Sequence, residues 1–230
     1  AVGIASVEDI NRLAPKGHRP NDLLKRAKSV IVLAGGEPSA GAWHAGTHRT
    51  LASIGYNRSP MASAARKLSI HMEDRYRHFT IPIPTGNKTG HQPYISLKLC
   101  AEMAGLGTRS IAGGIILNAE FGLLYFNGVI TTMDLEADGP LDEQVCPAPS
   151  CVDIWEKKNT LPCFLSCTDC LSGELKDGKI HSMTYRQDRC YTRAQSNSQD
   201  SFQKMLFEAV NEPDPEKRKT LLFGAHFNRT

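Results

Sequence analysis

Apolar and polar positions along the 230-residue chain change period several times, and each change marks an element. "VEDINRL" (Val7 to Leu13) and "NDLLKRAKS" (Asn21 to Ser29) predict short helices, the second capped by Asn21 or Asp22. "SVIVLAGG" is an uninterrupted apolar run closed by glycines, which predicts a buried strand entering a loop. "SPMASAARKLSIHMEDRYRHF" returns to helical spacing, with Ser59 placed to cap and Pro60 in the first turn. "TIPIP" predicts a short strand. In "YISLKLCAEMAGLG" the residues Ile95, Leu99 and Met103 share one helical face with Cys100 at its edge, and Gly105 or Gly107 ends the helix.

The longest apolar stretch runs from Ser110 to Met133. It has the length to cross a bilayer, but Asn118, Glu120, Asn127 and four glycines interrupt it, so two or three buried strands with turns explain it better. An acidic linker, "DLEADGPLDEQ", follows, then a cysteine-rich segment. The tail reads as one amphipathic helix, a proline break and a charged end. Helices alternating with strands make the first part an α+β unit. The predicted organisation is a cofactor-binding core over 1–140, a cysteine-rich module over 141–200 and a helical tail over 201–230.

Composition changes this picture little. The chain is 40% hydrophobic, enough for a real core, and its formal charge of +3 is mild. No long Lys/Arg run tracks a phosphate backbone, so a nucleic-acid partner is not expected. The first residues lack the basic start and apolar core of a secretion signal, which points to the cytoplasm. The pair in "HAGTH" would share a helical face, but it lacks the glutamate of the metalloprotease motif.

The chemistry lies in the cysteines. Six of seven crowd into the last 40% of the chain: Cys146, Cys151, Cys163, Cys167, Cys170 and Cys190. Cys100 stands alone and reads as a core residue. An odd count without a secretion signal argues against a disulfide framework. Cys163, Cys167 and Cys170 form C-x3-C-x2-C, and Cys190 follows at a distance. Three thiolates on one turning loop plus a distant fourth suit a [4Fe–4S] cubane, with Cys146 or Cys151 as rival ligands. The close pair in "CTDC" keeps zinc open.

The segments "AKSVIVLA", "IGYNRSPMASAARKLSIHMEDRYRHFTIPI", "AEMAGLGTRSIAGGIILNAEFGLLYFNGVITTMDLE" and "DGKI…DRCYTRAQ" together resemble, in order and content, the epoxyqueuosine reductase and reductive dehalogenase group, over roughly Ser29 to Gln195. That resemblance implies a nitroreductase-like, cobalamin-binding core with a ferredoxin-like appendage. It implies Gly105, Gly107, Asn118, Phe121, Gly122, Tyr125 and Gly128 against the corrinoid. It also implies an electron-donor protein and a small-molecule substrate whose carbon–oxygen or carbon–halogen bond is reductively cleaved; a homodimer is the expected assembly. The acidic proton donor of the epoxyqueuosine reductases has no counterpart in "GNKTGHQPYISLK", so His91 or Tyr94 takes the role of general acid. Thr108 and Arg109 replace the residues usual after "AGLG", and a second cluster motif is missing. The expectation is a short, divergent relative carrying one cluster. The other readings are a non-catalytic carrier of corrinoid or electrons, and a structural zinc module on a flavin-binding domain.

Overall fold

The computed structural model describes residues 1–35, 47–84, 87–89, 92–166, 170–186, 188–189 and 206–227. Its centre is the apolar run expected to be a buried strand. β2 (Ser29–Gly35) lies inside a four-stranded antiparallel sheet of order β1-β2-β9-β3, with β1 Val2–Ser6, β9 Tyr125–Thr131 and β3 Thr80–Pro82. Interior position explains why β2 reads as continuous apolar sequence rather than alternation. Val30, Val32 and Ala34 join the main core with Ala5 of β1 and Ile130 of β9. α1 (Val7–Leu13) supplies Val7 and Ile10 to this core, and α4 (Leu97–Met103) supplies Leu99, Cys100 and Ala101. Ile31 alternates to the other face of the strand. The long helix α3 (Thr47–Tyr76) packs against β9, β3 and β2, burying Ala65, Ser69 and Met72.

Several elements depart from the sequence pattern. α1 has the predicted bounds, capped by the Ser6 hydroxyl, which accepts from the Glu8 N–H. The second helix shrinks to one turn, α2 (Pro20–Leu23). Pro20 rather than Asn21 opens it, and Arg26 then takes a left-handed φ of 66° that no helix continues through. α3 begins well before Ser59, so Pro60 lies inside it instead of in its first turn. α4 starts later than expected. The Ser96 hydroxyl accepts from the Leu99 N–H, leaving Tyr94 and Ile95 ahead of the helix, and Gly105 leaves it at φ +65°.

The 110–133 stretch forms β7 (Ile116–Asn118), β8 (Gly122–Leu123) and β9 as expected, and β7 also pairs with β6 (Thr108–Arg109). β4 (Asn87–Thr89) and β5 (Gln92–Pro93) make a small hairpin of their own. The acidic linker has no regular structure but is held along the core. The Ile4 N–H donates to the Asp138 carboxylate at 2.7 Å, and the Asp138 N–H donates back to the Ile4 carbonyl. Beyond it come α5 (Pro149–Lys158), α6 (Pro162–Ser166) and the hairpin β10 (Leu171–Lys176) and β11 (Lys179–Tyr185). The turn of that hairpin is Asp177-Gly178, both at positive φ, the pair a tight hairpin demands. The charged end of the tail is a second helix, α7 (Pro215–Phe227), after a helical stretch over 206–211. No described helix is long and apolar enough to cross a membrane.

Candidate functional site

Two features meet on one short segment, 110–116. The first is a small second core in which Ile111, Leu161 and Leu175 are buried. Around them pack Cys146, Cys151 and Cys163, with Trp155 and Phe164 edge-to-face at a ring separation of 6.5 Å. α5 and α6 bring this about. Trp155 and Cys151 stand one turn apart on α5, and Asn159 at a left-handed φ of 49° ends that helix, so that the chain returns through Leu161 into α6. Burial raises the Cys146 thiol above its ordinary value, the Ile111 backbone opposes that rise, and negative charge on Cys151 adds to it. Burial also raises Cys163, and charge on either Cys146 or Cys151 raises it further. Cys146 and Cys163 therefore favour the protonated thiol as the protein stands, and a bound cation would oppose that preference.

Cys146, Cys151 and Cys163 are free thiols, and Cys170 is fully buried. Cys167 and Cys190 lie outside the described residues. Among the described residues, no three His, Cys, Asp or Glu side chains form a group that could hold a metal ion. The Ser110 hydroxyl is also buried, with no hydrogen-bond partner among the described residues, immediately before Ile111. Such an orphan donor costs about 1–3 kcal/mol unless something accepts from it. Of the predicted quartet, only Cys163 and Cys170 are therefore placed; Cys146 and Cys151, the rivals, are the two that gather with Cys163.

The second feature is a cavity of about 630 Å³. Leu97 and Lys98 at the start of α4, Ile115 and Ile116 leading into β7, and Leu123 to Asn127 along β8 and β9 form its wall, with Met61 from α3. The size and apolar lining suit a small-molecule or cofactor site. Asn127 is its buried amide, its Oδ1 accepting from the Gly128 N–H at 2.7 Å.

Of the residues expected around a cofactor, Tyr125 lines this cavity; the others have local structural work. A Cβ on Gly107 would lie 2.5 Å from the Leu117 carbonyl, one on Gly105 2.8 Å from that of Gly139, and one on Gly128 2.7 Å from that of Ile31. Close backbone approach thus accounts for all three. Asn118 donates to the Leu106 carbonyl and accepts from the Glu120 and Phe121 N–H groups, which shapes the β7–β8 turn. Phe121 and Gly122 are exposed on that turn. Tyr94 is half-buried just before α4, three residues from Leu97 of the cavity wall. His91 and His44 lie outside the described residues, and the side chain of His48 is not described. Sequence reasoning missed Lys98; the available signal was a lone cation in "SLKLC", between apolar neighbours at the start of a core helix.

Taken together, the fold is a mixed helix-and-sheet domain carrying a thiol-rich module beside an apolar cavity. No family profile and no curated protein matches the chain. Among solved structures, epoxyqueuosine reductase from Streptococcus thermophilus is similar at 15% identity with a TM-score of 0.44, over 66% of this chain and 47% of that one. The enzyme from Bacillus subtilis gives 16% and 0.40, over 66% and 46%. An epoxyqueuosine reductase with an epoxyqueuosine-modified tRNA stem loop gives 17% and 0.39, over 66% and 47%. These are structures of the group the sequence resembles. The chain spans under half their length, and at these TM-scores the likeness carries no argument about activity.

Proposed function

We propose that the protein is a reductase in which thiolates of the second core hold an iron–sulfur cluster and the cavity holds an organic cofactor or substrate. The observation that carries this reading is the shared segment 110–116. At one end Ile111 is buried in the second core and its backbone faces Cys146. At the other end Ile115 and Ile116 line the cavity. A redox centre and a reaction chamber separated by one turn of backbone suit electron delivery, whereas scattered structural cysteines would have no reason to adjoin a cavity.

When bound, a [4Fe–4S] cluster supplies single electrons, and a corrinoid in the cavity supplies reductive cleavage of a carbon–oxygen or carbon–halogen bond. The chain's own residues do the rest. Leu97, Leu124 and Phe126 keep water from the cavity, and the Asn127 amide and Tyr125 offer polar contacts. Tyr94 is the proton donor in this reading, taking the role of the acid that the 86–98 segment lacks. The nitroreductase-like and ferredoxin-like character, the electron-donor protein, the small-molecule substrate and the homodimer belong to the same proposal. Lacking an extended basic run, the chain is taken to act on a small molecule, although one similar structure contains a tRNA stem loop.

The test is protein purified without oxygen and examined by absorption and by iron, cobalt and zinc analysis. A broad band at roughly 400 nm with about four irons per chain supports the reading. Zinc without iron replaces it with a structural zinc module. Tyr94→Phe should lower turnover by about 10²-fold or more with ligand affinity unchanged, the effect of losing a general acid. Unchanged turnover removes Tyr94 from the mechanism.

A further inference from the structure

Among the described residues, the cavity lining carries one charged side chain, Lys98, and no described carboxylate pairs with it. Lys98 is exposed, and among the described residues its Nζ donates to the Gly113 carbonyl, at a long 3.4 Å. The carboxylate best placed to neutralise it is Glu102, one helical turn along α4. Glu102 is already taken, by the Arg109 guanidinium at 2.6 Å. Lys98 has no carboxylate partner among the described residues. Partial burial and the positive charge of Arg109 lower its pKa, so its surroundings disfavour the cation as the protein stands. Much of the remaining wall is apolar, including Leu97, Ile115, Ile116, Leu124 and Phe126, a surface for a flat apolar body, with Asn127 its buried amide.

An unmatched ammonium at the edge of an apolar chamber calls for an anion on the ligand. A lysine binds phosphate well as a point charge, without the planar match that arginine needs. We infer that the cavity takes a flat conjugated ring whose side arm carries a phosphate, with the ring against the β7–β9 wall and the phosphate at Lys98. This rests on the cavity being the ligand site and is independent of iron in the second core. A phosphate on such an arm has two chemical sources: the monoester of a flavin nucleotide, or the diester of a corrinoid's nucleotide tail.

Two matched pairs separate the possibilities. Flavin mononucleotide and riboflavin share a ring and differ by the phosphate; cobalamin and cobinamide share a corrin and differ by the phosphate-bearing nucleotide tail. Equilibrium binding of each to the full chain, stripped of cofactor, is compared with Lys98→Met and Lys98→Arg. The expected result is that the phosphate-bearing member of one pair binds at least tenfold tighter than its partner. Lys98→Met should bring that ratio to about one, and Lys98→Arg should keep most of it. The pair that shows the ratio names the source. Equal binding within both pairs, or a ratio that survives Lys98→Met, overturns the phosphate assignment and leaves the cavity as a ring site. Binding of none of the four overturns both.

Discussion

Cys100 has no solvent contact, and burial pushes its thiol up to about 12. The folded state therefore favours the protonated thiol. Its contribution to stability is complete below the ordinary thiol value of 9.0 and is lost as pH climbs from there towards 12. The slope reaches about 1.4 kcal/mol per pH unit. Denaturant titrations between pH 8 and 11 should show wild type losing stability faster than Cys100→Ala; parallel curves would contradict this. Glycines make a second contrast. Gly107 has φ +154° and a carbonyl 2.5 Å from where a Cβ would sit, whereas Gly122 at φ +66° has open space around it. Gly107→Ala should cost about 3 kcal/mol or more, since backbone strain and a clash add. Gly122→Ala should cost about 1–2 kcal/mol, the left-handed penalty alone. Melting temperatures of the two variants rank them directly, and equal losses would remove the clash from the explanation.

Among the elements, α3 is where the sequence pattern and the structure disagree most usefully. A proline inside a helix removes one hydrogen bond and crowds the preceding turn, at about 3 kcal/mol. Pro60 is exposed within α3, so its replacement disturbs no packing. Pro60→Ala should therefore stabilise the protein by about 1–3 kcal/mol. A neutral or destabilising result would put the helix start back at Ser59, where proline suits the first turn. The error of reading was local. Ser-Pro before an apolar-periodic run is the usual start signal, and nothing within a few residues reports that the helix continues backwards. The β10–β11 hairpin shows the opposite case, because the Asp177-Gly178 pair states its own turn.

At the scale of the molecule, the two cores divide the chain almost cleanly. The main core draws on residues from Ala5 to Ile130, and the second draws on Cys146 to Met183 plus Ile111. The linker is held to β1 through Asp138. A chain ending at residue 144 should keep a cooperative unfolding transition with near-native sheet content, because the main core and its linker clasp remain intact. Its midpoint should fall, since Gly113 and Gly114 lose Leu171, Met183 and Tyr185 as neighbours. Loss of all cooperative unfolding would show that the second core is needed to fold the first.

The sequence by itself determined the elements whose signals are local: α1, the buried strand β2, the end of α4 at a glycine and the crowding of cysteines. These follow from periodicity, capping and turn chemistry within a few residues. It did not say which cysteines would meet. Spacing favoured Cys163, Cys167, Cys170 and Cys190, of which Cys167 and Cys190 lie outside the described residues; the packing of Cys146, Cys151 and Cys163 on one core comes from α5 and α6 folding back on Leu161. Nor could it show that Lys98 would face a cavity while Glu102 turned to Arg109. Both depend on contacts between residues far apart in the chain, which only tertiary packing creates.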